Sequence, residues 1–144
     1  MVKKFGHLDI MDMIKKILLC LLISLFFSTP VCAEYYIATA YDLSPQSCGK
    51  HRNDPSYGIT ASGFNLKGHT WQTARTVSAD LSIHKLGTKL YVEFPTKYSH
   101  MNGIYTVRDT GGGVHGNHLD IFMGEYSYNE AINFGRQQIY VKKI

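Results

Sequence analysis

The stretch from Asp109 to Gly124 sets the tightest limits on what this chain can become. It reads Asp-Thr-Gly-Gly-Gly-Val-His-Gly-Asn-His-Leu-Asp-Ile-Phe-Met-Gly. The residues before it, Ile104 to Arg108, alternate β-branched and aromatic side chains, which predicts a strand with Asp109 at its end. Three consecutive glycines permit positive φ and put no side chain above the backbone. In the strand that follows, His118 and Asp120 share one face while Leu119 and Ile121 share the other. Asp120 is therefore expected on the polar face of a strand whose reverse is apolar, joined to Asp109 by an open loop. Gly and Asp are also ordinary turn residues, so a surface hairpin with solvated acids is the competing reading. Asp80, predicted to follow directly on another strand, is a third acid in a similar setting.

The 144 residues divide by composition. Lys15 and Lys16 precede an apolar run from Ile17 to Phe27, broken by Ser28, Thr29 and Pro30. Val31-Cys32-Ala33 then places small residues where a signal peptidase cuts. Residues 1–33 are expected to be a cleaved secretory signal, with Met13 a more typical start than Met1, and residues 34–144 one domain. A retained anchor is the other reading, although the run is short for a span of ~20 residues. Half of the formal charge of +4 comes from the leader: residues 34–144 hold 11 Lys and Arg against 9 Asp and Glu. A net +2 gives no support to nucleic-acid binding by bulk charge. Cys48 is the one thiol left after the leader, so no internal disulfide can form, and it reads as a loop cysteine.

Within residues 34–144, strands are predicted at Tyr35–Tyr41, Ile59–Gly63, Arg75–Ala79, Lys89–Phe94, Gly103–Arg108, His118–Phe122 and Gln138–Lys142. Asp42 to Gly58 and Asn65 to Thr73 read as irregular loops, and loops of such length tend to be functional. One helix is expected, with Ser127 as N-cap, Glu130 as its capping-box partner and Gly135 as the stop. Seven short strands and one helix in 111 residues point to a mainly β, small, closed or nearly closed barrel.

If the three aspartates converge, repulsion and partial burial raise at least one pKa, as a general acid requires near neutral pH. One acid/base carboxylate suffices where a sugar hydroxyl attacks its own anomeric carbon. His115, His118, Asp109 and Asp120 also have the donor types of a zinc site. No His-Glu-x-x-His helix accompanies them, however, and the pair straddles a loop and a strand, so no metal and no cofactor are expected.

Thr39-Ala40-Tyr41, Thr60-Ala61-Ser62-Gly63, Asp80, Leu86-Gly87-Thr88, Asp109-Thr110-Gly111-Gly112, Gly116-Asn117, Leu119-Asp120-Ile121-Phe122 and Phe134-Gly135-Arg136 resemble, in this order, the bacterial 3D domain, named for its three aspartates. The resemblance runs from Tyr36 to Val141 and extends to the catalytic barrel of the membrane-bound lytic transglycosylase A type. It also takes in the stationary-phase survival and resuscitation-promoting-factor-like proteins. It implies a six- to seven-stranded double-psi β-barrel that cleaves the MurNAc–GlcNAc bond of peptidoglycan and leaves a 1,6-anhydro-muramyl end. By the same resemblance Asp120 is the acid/base, Asp109 its close partner and Asp80 the remaining family aspartate. Thr60, Tyr41, Gly111, Gly112, His115 and His118 are the implied substrate-binding residues. Members commonly carry Lys and Arg where His115 and His118 stand, and Asp-Pro where Asp80-Leu81 stands. The implied protein is a secreted, monomeric, cell-envelope enzyme acting on glycan strands. The rival from another class is a non-catalytic wall-binding or wall-loosening barrel of expansin type.

Overall fold

The computed structural model describes residues 7–26 and 33–144. The chain divides into two units, Met1–Val31 and Cys32–Ile144. In the first, helix α1 (His7–Phe26) takes in the two lysines and most of the apolar run, and Lys16 pairs with Asp12 one turn earlier at 3.0 Å. Among the described residues no helix is long and apolar enough to cross a membrane. The Ser28-Thr29-Pro30 break and Val31 and Cys32 of the cleavage motif lie outside the described residues.

In the second unit, six strands close into a barrel. They are β1 (Glu34–Asp42), β2 (Thr76–Ala79), β3 (Lys89–Glu93), β4 (Gly103–Asp109), β5 (His118–Gly124) and β6 (Gln137–Lys143), in the order β1-β5-β2-β4-β3-β6. The pairs β1/β5 and β2/β4 are parallel and the other four antiparallel, a connectivity that suits the expected double-psi barrel. Closure removes the unpaired strand edges that an open sheet of this size would expose. Alternation does the sorting: Leu90 and Val92 of β3 point inward between exposed Lys89, Tyr91 and Glu93. Val77, Val107, Leu119, Ile121 and Ile139 are fully buried beside them, each contributing roughly 1.5–3 kcal/mol relative to exposure.

The predicted strand at 59–63 does not form. Ile59 makes one bridge to Asn65, and the segment between is a turn held by Thr60, which gives its N–H to the Phe64 carbonyl (3.0 Å) and accepts the Phe64 N–H on Oγ1 (3.1 Å). Arg75 does not open β2. It is a left-handed residue (φ 44°) that ends the short helix α3 (Trp71–Ala74), which follows the single turn α2 (Pro45–Cys48). The guanidinium of Arg75 donates to the Met101 carbonyl at 2.9 Å and lies over Trp71. The expected helix is present as α4 (Tyr128–Phe134), but Ser127 makes no side-chain cap bond, so the capping box does not form. A 3-10 turn at Thr96–Met101 completes the elements.

A second apolar cluster lies under the long 43–70 segment. Leu43, Tyr57 and Leu66 pack on Tyr41, Ala74 and Phe122. Glu125 ties the segment down, accepting from the Gly68 N–H (2.7 Å), Arg52 (3.3 Å) and the Tyr57 hydroxyl (3.4 Å). At the end of β1, buried Asp42 accepts from the Ser44 and Ser47 hydroxyls, both at 2.6 Å, which folds the chain over into α2. The loop thus becomes one wall of a groove whose floor is the barrel surface.

Candidate active site

Four strands bring one polar row together on that floor. Ser78 of β2 is the cross-strand partner of Asp120 on β5 and of Asp109 on β4, and Thr39 of β1 is the partner of Asp120 on the other side. The row reads Asp109, Ser78, Asp120, Thr39. Cross-strand partners present their side chains on the same face, and Leu119 and Ile121, pointing the other way, are the buried ones. The backbones bearing the two acids are two strand spacings apart, roughly 10 Å.

Asp109 joins the row because β4 carries one extra residue. Val107 pairs with Val77, but the next partner of Ser78 is Asp109, and Arg108 is bulged out. Bulges of this kind re-aim side chains next to functional sites. The displaced Arg108 donates to the Ala74 carbonyl (2.6 Å) and to Thr76 Oγ1 (2.7 Å), and its guanidinium covers the Phe64 ring at 4.1 Å. The Arg108 carbonyl receives the Ser62 N–H (2.9 Å), while Asp109 Oδ1 receives the Ala61 N–H (3.0 Å) and its neighbour Thr110's N–H (3.0 Å). The 60–64 turn therefore closes over the bulge and orients the carboxylate.

Asp120 has a different environment. Its Oδ1 accepts from Thr39 Oγ1 at 2.7 Å, and the same hydroxyl contacts His118 Nε2 at 2.8 Å. Burial pushes the Asp120 carboxyl above the usual carboxylate range. The Thr39 hydroxyl and nearby His118 act against this, and the Asp109 charge adds to it. Tyr41, two residues along β1 from Thr39, is almost wholly buried, with its hydroxyl beside Ser78. Burial foremost, then the Asp109 charge, holds that phenol protonated far above its ordinary range.

The groove above the row has a volume of about 630 Å³. Tyr41, Ser78, Asp109 and Asp120 line it on the barrel side, Thr60 and Ala61 on the turn, Gly111 and Gly112 on the glycine loop, and Ser47, Cys48 and Lys50 on the far wall. Of the residues singled out in the sequence, the groove thus gathers Asp120, Asp109, Tyr41, Thr60, Gly111 and Gly112. None of Gly111, Gly112 and Gly113 adopts positive φ; the left-handed residue of the loop is Gly116 (φ 62°). The space above Gly112 and Gly113 is open, since a Cβ there would meet nothing within 4 Å, whereas a Cβ on Gly111 would crowd Val114 at 3.3 Å.

Asp80 stands apart from the row. One oxygen accepts from the Ser82 N–H (2.9 Å) and hydroxyl (2.6 Å), the other from the Gly116 N–H (2.9 Å). The Ser82 hydroxyl first, then the two N–H groups, lower its pKa to about 2. It is a fixed anion that ties the glycine loop to the end of β2. The two histidines of the zinc alternative each turn a ring nitrogen to the glycine loop: His115 Nε2 meets the Gly112 carbonyl (2.8 Å) and His118 Nδ1 the Gly113 carbonyl (3.2 Å). Among the described residues no group of three or more His, Cys, Asp or Glu is placed to hold a metal ion. The sequence reading gave no role to Ser78, a lone hydroxyl within Thr76-Val77-Ser78-Ala79, and gave Thr39 none beyond its place in a motif. Thr39 alternates with Tyr41 on β1, and that period of two was the available signal.

A closed six-stranded barrel with two carboxylates in a polar row on the floor of a groove is the class of protein that this fold and site define. Residues 75–144 match the family model of the 3D domain. That stretch, which supplies β2 to β6 and all three aspartates, belongs to the 3D domain family. The chain is 34% identical over 85 residues to the cell wall-binding protein YocH of Bacillus subtilis, covering 59% of this chain and 26% of that protein. It is 30% identical over 105 residues to the putative cell wall shaping protein YabE of the same organism, covering 73% of this chain and 21% of that protein. It thus spans about a quarter of the length of these relatives. Among solved structures, Escherichia coli MltA with bound chitohexaose is similar at 24% identity and a TM-score of 0.44, over 58% of this chain and 27% of that one. An expansin of Clavibacter michiganensis is similar at 17% identity and a TM-score of 0.48, over 78% of this chain and 50% of that one.

Proposed function

We propose that the barrel is a peptidoglycan lytic transglycosylase of the cell envelope. The observation that carries this reading is the environment of Asp120: a carboxyl raised by burial, within a polar row, on the floor of a groove of about 630 Å³. Membership of residues 75–144 in the 3D family and the wall-related names of the two Bacillus relatives support the substrate class.

In this reading Asp120 protonates the glycosidic oxygen and then accepts the proton of the muramyl 6-hydroxyl as that oxygen closes on the anomeric carbon. The products are a free 4-hydroxyl on the leaving sugar and a 1,6-anhydro ring. Asp109, in the same row, favours the protonated form of Asp120. Tyr41 packs beneath the row, its buried hydroxyl kept protonated beside Ser78. Asp80 acts only by holding the loop. Residues 1–33 act as a signal, so the secreted product begins at Glu34, and N-terminal sequencing that found the leader intact on exported protein would refute that part.

The decisive experiment is incubation of the protein with purified sacculi and mass spectrometry of the products. Anhydro-muropeptides released by the wild type and absent with a folded Asp120→Asn variant carry the proposal. Release that persists in that variant overturns the assignment of Asp120. Tight sacculus binding with no anhydro product from the wild type favours the wall-binding alternative, to which the name of the first Bacillus relative points.

A further inference from the structure

The contacts of Thr39 have a consequence for where protons can sit. His118 Nδ1 faces the Gly113 carbonyl at 3.2 Å, and a carbonyl can only accept, so Nδ1 carries a proton. The other ring nitrogen, Nε2, is 2.8 Å from Thr39 Oγ1, which in turn is 2.7 Å from Asp120 Oδ1. Thr39 has a single hydroxyl proton to serve both contacts. If Thr39 donates to the Asp120 carboxylate, Nε2 must donate to Thr39, and His118 is an imidazolium. If Nε2 is unprotonated and accepts from Thr39, then Asp120 must donate to Thr39, and the carboxyl is neutral.

Both arrangements contain the same number of protons. They differ by a concerted shift: the Asp120 proton moves to Thr39 Oγ1 as the Thr39 proton moves to His118 Nε2. One O–H bond at the carboxyl breaks, one N–H bond at the ring forms, and the hydroxyl is neutral before and after. An ionised Asp120 beside a neutral His118 has no proton for one of the two short contacts, and two acceptors then face each other.

We propose that Thr39 is a proton relay between Asp120 and His118, and that His118 is a positioning residue which keeps one proton in reserve for the acid. This rests on the reading of Asp120 as acid/base, but the relay itself is a property of the resting protein. It keeps the carboxyl–imidazole pair loaded to higher pH than the carboxyl could manage alone, because the stripped state forfeits a hydrogen bond. Once Asp120 has given its proton to the glycosidic oxygen, the same forfeit favours recovery of the proton of the attacking hydroxyl. The other titratable groups around the relay are Asp109 and Tyr41 beside Asp120, Cys48 and Lys50 on the opposite groove wall, and His115 and Asp80 at the glycine loop. Of these, Asp109 opposes ionisation of Asp120.

The test is nitrogen-15 NMR of the histidine rings with carbon-13 NMR of the aspartate carboxyls, His118→Gln serving to assign the ring. Neutral His118 is expected as the Nδ1–H tautomer, and its Nε2 resonance should move in the same pH step as the Asp120 carboxyl. In Thr39→Val and in Asp120→Asn the Nε2 resonance should lose the step that it shares with the Asp120 carboxyl in the wild type. Thr39→Ser, which restores the hydroxyl, should keep the shared step. A His118 midpoint that is the same in the wild type and in folded Asp120→Asn overturns the relay, as does the Nε2–H tautomer. None of these readouts needs a substrate, so they stand or fall separately from cleavage of sacculi. On sacculi, if the wild type cleaves, His118→Gln should move the alkaline limb of turnover to lower pH, because a glutamine amide can satisfy Thr39 but cannot store a proton. An unmoved limb counts against the relay even where Asp120→Asn abolishes turnover.

Discussion

Asp120 and Asp80 are the same side chain, one within β5 and the other just past the end of β2, and their surroundings push them in opposite directions. Asp80 is surrounded by donors, two N–H groups and a hydroxyl, and is held ionised down to about pH 2. Asp120 has one hydroxyl on Oδ1, apolar neighbours along its strand and a like charge in the same row, and is pushed toward its neutral form. Donors that converge before any ligand arrives make an anchor; burial without enough donors makes an acid. Two aspartates 40 residues apart in the sequence are thus held in opposite charge preferences by their surroundings.

The largest effect expected from breaking that contrast is on catalysis. Asp120→Asn should lower release of anhydro-muropeptides by ~10²–10⁴-fold, the range of general acid–base catalysis, with unchanged circular dichroism. Asp80→Asn should leave turnover far less affected, since its loss loosens a loop rather than removing a proton donor.

A second effect is on stability against pH, and here the two variants should differ in sign. Asp120 has a raised folded pKa, so the stability it contributes is full below its unfolded value near 3.9 and is lost as pH rises through the folded one. Asp120→Asn should therefore melt higher than the wild type at neutral pH, the gain vanishing in acid. Asp80 has a lowered folded pKa, so its contribution is full above about pH 4 and is lost as pH falls toward 2. Asp80→Asn should melt lower than the wild type at neutral pH, the deficit vanishing in strong acid. Thermal melts of the three proteins from pH 2 to 8 check both, and parallel curves would show that the two sites are not distinct.

The smallest effect concerns Asp109. Its charge is one of the weaker contributions to Asp120, so Asp109→Asn should reduce turnover only modestly and draw its alkaline limb to lower pH. A loss as severe as that of Asp120→Asn would make Asp109 a direct participant.

Much of this contrast was legible in the sequence, but not all. Alternation located β3, β4, β5 and β6 to within a residue or two, because each strand buries one face and a period of two is then unavoidable. It also placed Asp120 opposite Leu119 and Ile121. It misread Ile59–Gly63, a β-rich composition whose backbone bonds close a local turn instead of a ladder. It misread Arg75 as well, since nothing local announces a non-glycine residue in the left-handed region. It treated Asp80 and Asp120 alike, although Ser82, two residues after Asp80, supplies two of its three donors and was a local signal; only the Gly116 N–H comes from 36 residues away. Partner strands, and hence the Ser78 and Thr39 neighbours of Asp120, are non-local in the same way.

The extra residue in β4 makes the groove vulnerable to a kind of change that alanine scanning does not sample. The identity of the side chain beside Ser78 depends on strand length, not only on composition. Deleting one residue at the bulge would let the ladder run on without a break and would shift the loop's pull on Asp109 by a full pleat. Inserting one would carry the carboxylate past its partner. Length variation within 103–109 should therefore be rarer among functional variants than substitution, and a deletion library across β4 would report on the site as sharply as any point mutant.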